Sequence, residues 1–127
     1  MRYLMLVTST KNYEAGQQPN PGLVAAMGTL IGDATKSGKL IETAGLLPSS
    51  HATRIRVANG KLSMTDGPFI ETKEVIGGYA LFNLSSKEEA LQLGRDFMQL
   101  HVDHLGATYE GLLEIRPIAD PPPDFKS

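Results

Sequence analysis

Two amphipathic stretches, each bracketed by short apolar runs, set the strongest limit on what this chain can fold into. In the first, Leu23, Met27, Leu30, Ile31 and Ala34 recur at helical spacing. Asn20-Pro21 opens it: Asn can accept from the free N–H groups of a first turn, and Pro fits the first helical position. Gly38 ends it as a left-handed cap. The second stretch lines up Ala90, Gly94, Phe97, Met98, His101 and Leu105 on one face, with Gln92, Arg95, Asp96, Gln99 and Asp103 opposite. Ser85 and Ser86 each precede a Glu by three residues, which gives two overlapping capping-box registers.

The runs around these helices read as strands at residues 2–8, 39–47, 75–84 and 112–118. Between the second and third, residues 53–57 and 61–65 alternate and are joined by Asn59-Gly60, the strongest two-residue hairpin signal. Residues 11–18 read as a loop, and Pro121 to Pro123 as an extended tail. The order is strand, helix, strand, hairpin, strand, helix, strand. Two helices on one face of a mostly antiparallel sheet make a single α+β domain over residues 1–127, ferredoxin-like, with a Pro-rich tail from residue 119. The strands are apolar on both faces, so the bare sheet face needs a cover. A second copy related by a two-fold axis is the commonest one, and the sequence predicts a homodimer.

With 127 residues the chain fits one domain, and folding buries about two-thirds of its surface. It has no cysteine, which removes disulfides, Cys-ligated zinc, iron–sulfur clusters and a thiol nucleophile. Twelve basic and 14 acidic side chains leave a net charge of −2, which argues against direct nucleic-acid or anionic-membrane binding. No apolar run approaches the 18 or so residues of a membrane span, and the first ten residues read as a strand rather than a signal peptide. A cytoplasmic protein is the expectation.

Asp66-Gly67-Pro68-Phe69-Ile70-Glu71-Thr72-Lys73-Glu74, followed by Gly77-Gly78-Tyr79, closely resembles the signature of the DGPF branch of the YCII-related proteins. Gly45-Leu46-Leu47-Pro48, Ala52-Thr53-Arg54-Ile55-Arg56 and Glu114-Ile115-Arg116-Pro117 resemble flanking pieces of that family in the same order. The resemblance implies a dimeric α+β barrel of ferredoxin-like subunits, with a cleft in each near the dimer interface. It also implies kinship with small lactone-processing enzymes, among them muconolactone isomerases and a chloromuconolactone dehalogenase. Proteins of this branch are often encoded beside extracytoplasmic-function sigma factors, which points to a possible regulatory partner. A His–Asp pair proposed for another branch has its histidine on the first helix; here no histidine precedes His51, so that pair cannot be carried over.

Asp66 has two readings. It can clamp its own turn through backbone hydrogen bonds, or act as a general base beside the apolar wall of Phe69. Glu71 and Lys73 share one side of an extended backbone, as a surface pair or as groups poised at a cleft. Arg54 and Arg56 point to one face of their strand, where two guanidinium groups can grip an anion or blunt an exposed strand. His101 falls near the centre of the second helix's apolar face and His104 about 60° aside, so both are expected to look toward the sheet. They can be core histidines, acid–base groups or, last, two ligands of an incomplete metal site. No phosphate loop, nucleophile elbow or HExxH motif is present.

The resulting expectation is a small organic anion bound near the dimer interface by Arg54, Phe69, Glu71, Lys73 and His104. Cofactor-free acid–base chemistry by Asp66 or His101, on a lactone or enolisable acid, would follow. The alternative is a non-catalytic interaction module.

Overall fold

The computed structural model describes residues 1–71 and 74–120. Strand β1 (Arg2–Thr8) leads through a single helical turn, α1 (Lys11–Glu14), to helix α2 (Pro21–Lys36) and strand β2 (Leu40–Gly45). The hairpin of β3 (Thr53–Ala58) and β4 (Lys61–Asp66) follows, then strand β5 (Ile76–Asn83), helix α3 (Lys87–Leu105) and strand β6 (Leu113–Pro117). The turn α1 lies in the segment read as loop. Thr10 caps it, its hydroxyl accepting from the Tyr13 N–H at 3.1 Å. The extended tail expected at Pro121 to Pro123 lies outside the described residues.

Four strands form one antiparallel sheet in the order β2-β5-β1-β6. With the hairpin set aside, the connections run strand–helix–strand–strand–helix–strand, the split βαβ order. The register pairs Tyr3 with Phe82, and Met5 with both Ala80 and Ile115, so these side chains share one sheet face. Helices α2 and α3 cover that face. Tyr3, Met5, Ala34, Phe82, Leu84 and Ala90 make the core, with Leu40, Leu93 and Ile115 packed around it. A Cβ on Gly94 would lie 2.8 Å from Ile115 Cδ1, so glycine there lets α3 approach β6 closely.

The helix ends follow the sequence signals. Asn20 Oδ1 accepts from the Leu23 N–H at 3.0 Å. The Ser86 hydroxyl accepts from the Glu89 N–H at 3.2 Å, while Glu89 Oε1 accepts from the N–H of Ser85 rather than Ser86. The capping box thus straddles both serines that suggested it. Lys39 Nζ donates to the same Glu89 carboxylate at 3.0 Å and holds it below its ordinary pKa, tying the start of β2 to α3.

Two surfaces have no cover among the described residues. On the far side of the sheet, Leu4 pairs with Leu81 and Leu6 with Tyr79, and all four are half-buried with no described helix over them. The hairpin forms a separate two-stranded sheet, turned by Asn59 and Gly60 at φ 53° and 72°, as a type I′ turn requires. Its register places Ile55 beside Met64 and Val57 beside Leu62 on one face, and these four are 64–73% exposed. No helix among the described residues is long and apolar enough to cross a membrane.

Candidate functional site

The described residues outline two recesses that share no lining residue. The first is a shallow pocket at the root of the hairpin, lined by Arg54, Arg56, Thr65, Phe69 and Glu71. Part of its wall, Pro68 and Phe69, belongs to the Asp66-Gly67-Pro68-Phe69 turn, which is fixed to the body at several points. The Gly67 N–H donates to Ala52 O at 2.9 Å, and the Phe69 N–H donates to Ser49 Oγ at 3.0 Å. Ser49 is 3% exposed, and its own N–H donates to the Glu14 carboxylate at 3.0 and 3.1 Å. A Cβ on Gly67 would run into the Ser49 carbonyl, so only glycine fits against that turn.

In this turn Asp66 accepts from the Thr53 hydroxyl at 2.8 Å, closing the base of the hairpin. Arg54 lies 3.7 Å over the Phe69 ring centroid, and its guanidinium is 3.7 Å from the Glu71 carboxylate. Both side chains of that pair are more than a third exposed, so the pair is a weak one. Arg54 and Arg56 share a face, as their spacing requires. Lys73 lies outside the described residues.

The second recess is larger, a cleft of about 1260 Å³ between the sheet and the two helices. It lies at the end of the molecule where β1 and β5 meet the start of α2 and the end of α3. Met5, Val7, Leu23, Met27, Leu30 and Phe97 make its apolar walls. Lys11 and Glu110 are the charged residues on its described rim. Asn20 braces this end, since besides capping α2 it donates through Nδ2 to the His104 carbonyl of α3 at 3.4 Å.

His101 and Tyr109 stand together in this cleft. His101 is 7% exposed, and its Nδ1 lies 2.9 Å from the Phe97 carbonyl. A carbonyl only accepts, so Nδ1 carries the proton and Nε2 is left with the lone pair. Burial lowers the His101 pKa, opposed by the weaker pull of the Phe97 carbonyl, so the ring is neutral near pH 7. The Tyr109 ring centroid is 5.3 Å from that of His101. Its hydroxyl is buried with no hydrogen-bond partner among the described residues, and burial pushes the phenol pKa up. The hydroxyl lies against Gly111, where any Cβ would collide with it. Glycine at 111 therefore opens the space in which this proton donor sits. A neutral imidazole acceptor and a protonated phenol side by side can take one proton and donate another.

The sequence-derived candidates are thus divided. Arg54, Phe69 and Glu71 converge at the hairpin, with Asp66 at its base, whereas His101 lines the cleft. His104 does not look toward the sheet. It is exposed, with its ring beside Gly22 at the start of α2, because the 60° offset carries it past the edge of the buried stripe. Among the described residues no cluster of three or more His, Asp or Glu is placed to hold a metal ion. Tyr109 escaped the sequence reading, because a loop tyrosine has no periodicity to mark it. The signal that was available is the flanking pair Gly106 and Gly111, which brackets one aromatic residue.

Comparison with known proteins agrees with the sequence motifs. The model of the YCII-related domain matches residues 1–119. An uncharacterised protein of Rhizobium meliloti (strain 1021) is 36% identical over 84 residues, or 66% of this chain. That match spans 63% of the relative's length, a little under two-thirds. The chain belongs to the YCII-related domain family.

Proposed function

We propose that the cleft between sheet and helices binds a neutral, largely apolar carbonyl compound such as a lactone, and that His101 and Tyr109 exchange protons with it. The buried Tyr109 hydroxyl without a partner carries this reading. A buried polar group left unsatisfied costs about 1–3 kcal/mol, and a ligand carbonyl accepting from it removes that cost. His101 Nε2, neutral and unprotonated, is the matching base for a proton next to that carbonyl, and Tyr109 stabilises the enolate oxygen as it forms. On the cleft's described lining Lys11 is offset by Glu110, and the paired cations that favour an anion, Arg54 and Arg56, line the other recess. The cleft's own chemistry therefore suits an uncharged ligand. The reading includes a homodimer, supported by the uncovered apolar sheet face around Leu4, Leu6, Tyr79 and Leu81.

The test is wash-in of deuterium from D2O at the carbon beside the carbonyl of δ-decalactone, a neutral lactone with an apolar tail. Wild-type protein is expected to accelerate the exchange. His101→Gln should lower that rate at least 100-fold and Tyr109→Phe roughly 10- to 100-fold, while Asp66→Asn leaves it unchanged. Exchange no faster than in buffer, or equal rates in all variants, would contradict the assignment.

A further inference from the structure

The two helices do not close fully on the sheet. Met27, Leu30 and Ile31 of α2 and Leu93 and Phe97 of α3 hold inward positions of their helical stripes, where burial is expected. All five are only half-buried, and all five line the cleft. No large side chain among the described residues is fully buried. The gap has a local cause in β5. Its helix-facing positions read Gly78, Ala80 and Phe82, and the register sets them beside Val7, Met5 and Tyr3. Two small residues in succession keep the floor low from the mouth inward, and Phe82 raises it at the inner end.

Resting on the proton-exchange reading above, we propose that the cleft is a slot for one extended aliphatic chain. The carbonyl compound it takes is then a long-tailed lactone, with its ring at His101 and Tyr109 and its tail running inward to Phe82 and Ala34. The placement of polar groups fixes that direction. Tyr109, His101 and the rim residues Lys11 and Glu110 stand toward the mouth, whereas the inner walls are the aliphatic and aromatic side chains of α2, α3 and β5. The Thr43 hydroxyl, which lies beside Ala80, is already donated to the Tyr79 carbonyl at 2.8 Å. A charged or hydroxylated tail would lose its water there and gain no partner.

The backbone sets the length. His101 and Leu93 are two of the inward residues of α3, eight positions and so about 12 Å apart. Gly78 and Phe82 are four positions apart on β5, about 13 Å. An extended carbon chain, with bonds of about 1.5 Å, advances about 1.25 Å per carbon, and a δ-lactone ring spends roughly 3 Å between its reacting carbon and its tail. The remaining depth holds a tail of roughly seven or eight carbons. Volume agrees with a long occupant. The cleft's about 1260 Å³ exceeds the roughly 300–1,000 Å³ of ordinary small-ligand pockets, and a bare lactone ring would leave most of it unfilled. Each added methylene leaves water for apolar contact until the tail meets the inner wall, where the gain stops.

The test is calorimetric titration of the protein with δ-lactones whose tails carry three, five, seven, nine and eleven carbons. The dissociation constant is expected to fall at least threefold for each two carbons up to the seven-carbon tail of δ-dodecalactone, and to level off or rise beyond the nine-carbon tail of δ-tetradecalactone. Ala80→Leu raises the floor partway along the slot, and should weaken δ-dodecalactone at least tenfold more than the three-carbon-tailed δ-octalactone. A dissociation constant indifferent to tail length overturns the slot. So does one that keeps falling through the eleven-carbon tail, as simple partition into an apolar surface would, and so does an Ala80→Leu loss equal for short and long tails. Deuterium exchange on the same series separates this proposal from the reading it rests on. Binding that breaks at the expected length without accelerated exchange keeps the slot and strikes the proton exchange; accelerated exchange with no dependence on the tail does the reverse. Failure of every lactone to bind overturns both.

Discussion

The body of the protein and its hairpin arm are written in the same alternating apolar code and meet opposite fates. On β1 and β5 the inward set, Tyr3, Met5 and Phe82, is 5–9% exposed beneath two helices. On β3 and β4 the equivalent set, Ile55, Val57, Leu62 and Met64, is 64–73% exposed. The difference lies in connectivity. Helices α2 and α3 each link strands of the four-stranded sheet and fall back on it, whereas the hairpin sits between β2 and β5 with no helix of its own. A period-two pattern specifies that a face is to be buried; the connections decide whether the same chain can bury it.

The largest expected effect tests the body's half of this contrast. Phe82→Ala removes a side chain from the centre of the core and should lower unfolding stability by about 3–5 kcal/mol in urea denaturation. Next comes the junction. Ser49→Ala deprives the Phe69 N–H of its acceptor and should cost about 1–2 kcal/mol, with faster amide exchange at Phe69 but not on β1. Equal loosening of β1 would mean that the arm's root belongs to the core's cooperative unit.

A smaller effect concerns pH. Burial lowers the folded-state pKa of His101 below that of the unfolded chain, so the unfolded state binds more protons and acid favours unfolding. The melting temperature should therefore fall as pH drops from about 7 toward 5.5, through and below the ordinary histidine value of roughly 6.5. His101→Gln should shallow that fall. Glu89 and Asp120 are held low by Lys39 and Arg2, so their contribution is lost only at lower pH and does not obscure the window. The smallest expected effect is at the arm. Leu62→Ser should leave the unfolding free energy of the isolated protomer within about 0.5 kcal/mol. A cost comparable to that of Phe82→Ala would show the arm packed on the body and erase the contrast.

The sheet, both main helices and the hairpin were readable because each announces itself locally. Asn20, Gly38, Asn59-Gly60 and the Ser85–Ser86 pair act within a few residues of where they stand. The turn α1 was not readable, since four residues cannot display a helical period. The separation of the hairpin from the main sheet was equally hidden, because strand pairing is a choice among distant segments. At the candidate site, the spacing of α3 found His101. Tyr109 comes to its side only through the course of the 106–112 loop, and no local pattern encodes that meeting. The Asp66-Gly67-Pro68-Phe69 motif was the loudest signal in the chain, and in the fold it serves first to root the arm: Thr53 holds Asp66, and the Ser49 backbone excludes any residue but glycine at 67.

The central claim is that the cleft, and not the arm, receives the small molecule. The most direct measurement is an NMR titration of isotopically labelled protein with δ-decalactone, following the His101 imidazole nitrogens, the Tyr109 ring and the methyl groups of Ile55 and Leu62. The account predicts that His101 Nε2 and Tyr109 move together and saturate at one lactone per protomer, with the arm methyls still. Movement of the arm methyls while His101 and Tyr109 stay fixed would contradict it.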